Sequence, residues 1–400
     1  MVEDPSEPYG QDRQRDVIAS GMLADDPPDL PVRYEELEAR AVEAMESGPA
    51  NYLAGGAGGE TTMSTNREAF REWRIVPRLL RDVSERDLSV DLLGREFDVP
   101  FMVAPIGNQT IFHEAGELGT AGACADLNVP MCLSSVSSHT IEEVADTLGD
   151  TPKWFQLYWS SERAIMESFV GRAEDAGFDA IVVTVDVPIL GWRERDLQGG
   201  YSPSLDGAGL GNYFSDPAFR EGLDEPPEEN ESAAIYHWLD VFGNPALDWD
   251  DVEDLVGMTD LPVVVKGLLH PDDAEEAISR GVDAIAVSNH GGRQLDGEIA
   301  ALEALPGIAD QVMGRVPITF DSGIRRGPDI VKALALGADA AMVGRPFACG
   351  LAVGGEAGVR EVLSNVRGDL DVSLSNTGTA SVSDLDESVL VHRSELAGGR

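Results

Sequence analysis

Lysine is almost missing from this chain. Lys153, Lys266 and Lys332 are its only lysines among 400 residues, and 29 basic side chains face 72 acidic ones, a net charge of −43. A surface of that sign repels nucleic acid and anionic membranes, so neither is expected as a partner. The acidity is spread along the chain and not gathered in a tail, as on proteins that work in strong salt, where counterions screen the self-repulsion. A halophile-like cytoplasmic protein is therefore expected; an ordinary acidic protein is the alternative. Cysteine is scarce too: Cys124, Cys132 and Cys349 are odd in number and lack CxxC spacing, which excludes a disulfide framework and a zinc site. No histidine pair has metal-ligand spacing, and no metal is expected. No apolar run approaches ~18 residues, and the acidic, proline-containing opening has no signal-peptide pattern, so neither export nor a membrane span is expected.

What is present is a globular composition, 42% hydrophobic and 25% charged, with a repeating pattern from Pro100 onward. Short apolar, β-branched runs begin at Phe101, Met131, Trp154, Ile181, Val263, Ile285, Ile318 and Ala341, mostly roughly 20 to 35 residues apart with amphipathic stretches between them. Eight strand-plus-helix units describe a (β/α)8 TIM barrel, with an open doubly wound sheet as the alternative. Residues 1–99 read as an N-terminal extension, an extended arm to about residue 31 followed by a helix carrying Leu37, Ala41 and Met45 on one face. Residues 100–370 read as the barrel and 371–400 as a C-terminal tail. The stretch 196–250, after strand four, shows little periodicity and is expected to be a long loop over the barrel mouth.

In such a barrel the working groups sit at the C-terminal ends of the strands. Those positions hold Gly107, Ser134, Gln156 with Tyr158, Thr184, Lys266, His290 with Arg293, Asp321 with Arg325, and Gly344 with Arg345. The loops after strands seven and eight commonly bind phosphate, and here they combine glycines that admit backbone N–H groups with arginines that bind bidentately. Lys266 would end a buried strand, which is costly unless it faces an anion; a Schiff base or the pyrimidine edge of a flavin would both use it. His290 can take a proton near neutral pH while Arg293 holds a carboxylate, and Arg193 is a second guanidinium for the same anion, with Arg195 as competitor. The other five histidines read as packed or surface residues. The glycine-rich stretch 51–60 lacks the order and preceding strand of a dinucleotide fingerprint.

Together these residues resemble the FMN-dependent α-hydroxy acid oxidase family, which includes glycolate oxidase, lactate oxidase and lactate 2-monooxygenase. The likeness runs from about Tyr52 to the end of strand eight, and its strongest pieces span 66–70, 77–83, 154–158, 184–188, 288–296, 321–327 and 344–346. The resemblance implies FMN as cofactor and His290 as catalytic base. It implies that Arg193 and Arg293 hold the substrate carboxylate, that Tyr52 and Tyr158 contact carboxylate and hydroxyl, and that Lys266 steadies the reduced flavin. Ala104, Pro105, Gly107, Ser134, Gln156, Thr184 and Ser288 would adjoin the isoalloxazine ring, and Asp321, Gly323, Arg325, Gly344 and Arg345 the ribityl phosphate. Gly107, where many oxidases have alanine, with residues 190–196 and 212–217, looks like the lactate 2-monooxygenase branch. That branch would convert lactate to acetate, carbon dioxide and water. An oxidase or dehydrogenase that releases the keto acid is the alternative, and the flavin-dependent isopentenyl diphosphate isomerase an alternative of another class. The expected partners are a small 2-hydroxy acid, with oxygen or another electron acceptor, and further copies of the chain in a tetramer or octamer.

Overall fold

The computed structural model describes residues 9 to 397. Eight parallel strands close into a barrel: β1 (Phe101–Val103), β2 (Met131–Ser134), β3 (Lys153–Tyr158), β4 (Ala180–Thr184), β5 (Val263–Leu268), β6 (Ala284–Val287), β7 (Ile318–Phe320) and β8 (Ala340–Val343). β8 pairs with β1 and β7 with β6, which leaves no free edge. The (β/α)8 expectation therefore holds.

Side-chain alternation explains what the barrel contains. Inward positions Met102, Cys132, Trp154, Val182, Val264, Ala286 and Met342 form one buried cluster, in which the bulk of Trp154 lies among small alanines. An antiparallel hairpin, Val90–Leu92 with Arg95–Phe97, brings Leu92 and Phe97 into the same cluster; Phe97 lies 6.1 Å from the Trp154 ring. Two residues further along each strand, the same period sends Ala104, Ser134, Gln156, Thr184, Lys266, Ser288 and Gly344 inward at the C-terminal end. Apolar packing thus gives way to polar groups within one pleat.

Two parts of the chain differ from expectation. The N-terminal arm is helical over α1 (Tyr9–Leu23), where Gly10 packs against α16 (Arg345–Thr377) with its N–H donating to Asp371; residues 1–8 lie outside the described residues. The amphipathic stretch that follows forms α2 (Tyr34–Ala44), with Leu37 and Ala41 buried and Met45 just past its end. α16 runs through the 370/371 boundary, and only after Thr377 does the chain turn back to pair Leu390–His392 with Trp73–Ile75.

The stretch 196–250 is helical in short pieces: α8 (Glu194–Gly199), α9 (Gly211–Ser215), α10 (Pro217–Glu221) and α11 (Glu231–Val241) precede α12 (Trp249–Val256). Three of them, α8, α9 and α10, have only five or six residues, too few to show a period. Asp216 caps α10, Asn230 caps α11 and Asp248 caps α12, each accepting from backbone N–H groups of the first turn. Tyr213, Phe219 and Trp238 pack edge to face and bury the insertion against Phe169. Among the described residues no helix is long and apolar enough to cross a membrane, and all three cysteines are buried free thiols.

Candidate active site

A cavity of about 430 Å³ opens at the C-terminal end of the barrel. Tyr52, Ala104, Pro105, Gly107, Tyr158, Thr184, Arg193, Lys266, His290, Arg293, Asp321, Gly323, Arg325, Gly344 and Arg345 all border it. Ser134, Gln156 and Ser288 do not. They lie one layer below, their polar atoms engaged with one another: Ser134 donates to Gln156 Oε1 at 2.9 Å and Gln156 Nε2 donates to Thr184 Oγ1 at 2.9 Å. Ser288 donates to Asp321 at 2.7 Å and accepts from Lys266 at 2.8 Å. They support the cavity wall and are not part of its surface.

Lys266 is held from two sides. Burial works against its charge, but Asp321 at 3.0 Å and the nearby Asp186 outweigh that and hold the ammonium above its ordinary value. The cation the sequence suggested is therefore fully formed beside the cavity.

His290 stands in the loop between β6 and α14 (Ala301–Val312). Its φ is +56°, followed by +69° at Gly291 and +73° at Gly292. Three left-handed residues in a row require the two glycines. This twist points the imidazole Nδ1 at Asp186 Oδ1, 2.8 Å away, and leaves Nε2 3.5 Å from the Tyr158 hydroxyl. Burial lowers the His290 pKa and Asp186 opposes that in part, so the net direction is down and the ring is neutral and able to accept a proton. Asp186 itself is kept ionised: burial pushes its pKa up, but His290 and Lys266 more than compensate. Asp186 received no role from the sequence, although it lies two residues past Thr184 and so continues the inward alternation of β4.

Two guanidiniums flank Tyr52. Arg293 stacks at 4.7 Å from its ring and Arg193 at 5.8 Å. Arg293 donates to the carbonyls of Tyr52 at 2.6 Å, in α3 (Ser47–Ala54), and of Gly55 at 2.8 Å, just past its end; burial and then Arg193 hold its pKa down to about 9. Arg193 donates to Arg293 O and Gln294 Oε1, each at 3.2 Å, while the competitor Arg195 is exposed and paired with Glu60. The glycine-rich stretch thus has a use: its carbonyls orient Arg293 and Arg345. His113, His139, His237, His270 and His392 all lie outside the cavity. Asn108, Asp196 and Tyr201 border it without having been singled out; they come from turns and from the insertion, where no period marks them.

A neutral histidine braced by a carboxylate, two guanidiniums in the same cavity and a glycine–arginine cradle on the loops after β7 and β8 describe a class: a barrel whose mouth is equipped to bind an anion and to accept a proton. Comparison with known proteins narrows the class. The family described as FMN-dependent dehydrogenase matches residues 41 to 392. An L-lactate oxidase of Lysinibacillus sphaericus is 45% identical over 376 residues, which cover 94% of this chain and 96% of the relative. Human 2-hydroxyacid oxidase 1 is 38% identical, covering 90% of this chain and 96% of its own length. A crystal structure of mandelate oxidase superposes with a TM-score of 0.80 at 37% identity, covering 90% of this chain and 98% of that one. The chain belongs to the FMN-dependent α-hydroxy acid oxidase and dehydrogenase family.

The residues present suit that cofactor. Arg325 stacks 4.7 Å from the Tyr34 ring, and its Nε is buried with no partner. An unpaired guanidinium N–H bordering the same cavity as Gly323, Gly344 and the buried Arg345 could hold a phosphate. Lys266 stands further along the same cavity, where a cation could face the anionic edge of a reduced flavin.

Proposed function

We propose that this enzyme oxidises a short L-2-hydroxy acid, with L-lactate foremost, and retains the keto acid for oxidative decarboxylation, as a lactate 2-monooxygenase does. The observation that carries the reading is the placement of His290, a neutral imidazole braced by the ionised Asp186, in one cavity with Arg193, Arg293 and Tyr52. FMN, when bound, accepts the electron pair. Arg325, Arg345 and the glycines of the loops after β7 and β8 would hold its phosphate end, and Lys266 would stabilise negative charge on its reduced ring.

The chain's own residues do the rest. The substrate carboxylate lies against Arg193 and Arg293, where removal of either guanidinium costs on the order of 2 to 5 kcal/mol. Tyr158 and Tyr52 present hydroxyls to the substrate. His290 Nε2 takes one proton, and Asp186 on the other nitrogen stabilises the imidazolium that results. The insertion covers the mouth with Tyr201, Trp238 and Phe242 and limits water there.

Gly107 and the covering insertion support retention of the product. The name of the 45% identical relative favours a second reading, an oxidase that releases pyruvate and peroxide. The test is anaerobic mixing of the FMN-loaded protein with L-lactate, followed by admission of oxygen. Flavin bleaching and then acetate with carbon dioxide is expected; pyruvate with free peroxide would establish the oxidase, and no bleaching with any 2-hydroxy acid would overturn both.

A further inference from the structure

Asp196 lies in α8 and borders the cavity. Its Oδ1 is buried with no hydrogen-bond partner. The charges that face it are Arg193, just before α8, Arg195 on α8 and Arg293 from the loop after β6. Glu60 pairs with Arg195, Tyr201 and Tyr52 adjoin as phenols, and His290 borders the same cavity.

Neither arginine of the pair bonds to Asp196. Arg293 gives its donors to the carbonyls of Tyr52 and Gly55, and Arg193 to Arg293 O and Gln294. Asp196 is thus a carboxylate standing in the field of three cations without being hydrogen-bonded to any of them. A substrate carboxylate that enters the same field brings a second negative charge into a partly dry space, where two neighbouring carboxylates do not both stay ionised cheaply.

Taking the arginine pair as the carboxylate site, as above, we propose that Asp196 tunes the affinity of that site, as a resident like charge that takes up part of a proton when the substrate carboxylate binds. Carboxylate affinity then falls as pH rises. Burial, which already raises the Asp196 pKa against the pull of Arg293, Arg193 and Arg195, works in the same direction.

The probe is pyruvate, titrated into the FMN-loaded protein and followed by perturbation of the flavin absorption between about pH 5 and pH 8, in wild type and Asp196→Asn. The variant is expected to bind about tenfold tighter at the alkaline end, the effect of one pK unit of coupling, and to converge with wild type at the acid end. His290 contributes to both proteins, so the difference between them reads Asp196. Pyruvate binding with the same affinity and pH slope in both overturns the proposal and leaves the arginine pair intact. Failure of wild type to bind pyruvate at any pH overturns the reading of the site, and the proposal with it. Should Asp196→Asn not fold, calorimetry of pyruvate binding to His290→Asn in buffers of different ionisation enthalpy counts the protons directly. Uptake of up to about half a proton, the maximum for one pK unit of coupling, is expected at its peak between pH 5 and pH 8, and none overturns the proposal.

Discussion

At the scale of single residues, the site depends on opposing influences on one imidazole. Burial lowers the His290 pKa below 6.5 and Asp186 recovers part of the loss. Proton acceptance needs the neutral ring, so the second-order rate of flavin reduction should rise with pH through the lowered pKa, with an acid limb below 6.5. Asp186→Asn removes the raising influence: the limb should move further toward acid while the maximal rate falls, because the carboxylate that orients Nδ1–H and stabilises the imidazolium is gone. His290→Asn should lower flavin reduction by about 10² to 10⁴-fold. Stopped-flow reduction across pH separates the two, and an unmoved limb in Asp186→Asn would remove Asp186 from this role.

At the scale of elements, the loop after β6 sets the geometry. A Cβ on Gly292 would lie 2.6 Å from the backbone N of Met63, in α4 (Thr61–Glu72), at a φ of +73°. Gly292→Ala combines left-handed strain with a backbone clash, and the loop must shift and take His290 and Arg293 with it. A fall in kcat/KM of at least about 10²-fold is expected, since displacement of catalytic groups by 1 Å carries that cost; activity within threefold of wild type would show that the loop is not positioned this way. Gly107 has a comparable constraint, since a Cβ there would stand 2.5 Å from Val136 O. The residue that looks like a branch marker is therefore also demanded by the approach of the β2 loop, and Gly107→Ala should cost about 1 to 3 kcal/mol of stability by overpacking, measured by chemical denaturation.

For the whole molecule, the net charge of −43 dominates. Most arginines with exposed heads are paired with carboxylates, among them Arg280 with Asp250, Glu253 and Glu276. Such surface pairs contribute little each, about 0 to 1 kcal/mol, and do not offset the excess of acid. Tm should therefore rise by several degrees between about 0.1 M and about 3 M KCl as screening shortens the range of repulsion. A flat Tm would remove the expectation of salt adaptation.

The eight strands, the barrel and the candidate residues at its mouth were legible from sequence because each rests on local repetition. β-branched runs mark strands, and a period of two carries polar residues to the strand ends. The likeness to a known family added roles to those positions. What only the tertiary structure decided are relations between residues far apart in the chain. Asp186 meets His290 across 104 positions, and Tyr52 is stacked by arginines from two different loops. Gln156 faces inward as its period requires, where it bonds to Ser134 and Thr184 and does not border the cavity. The helices of the insertion were illegible for the same reason: most are of five to eight residues, and Tyr213, Phe219 and Trp238 hold the insertion only once packed together. Alternation states which way a side chain faces, whereas the partner it finds depends on how distant strands and loops close around the same space.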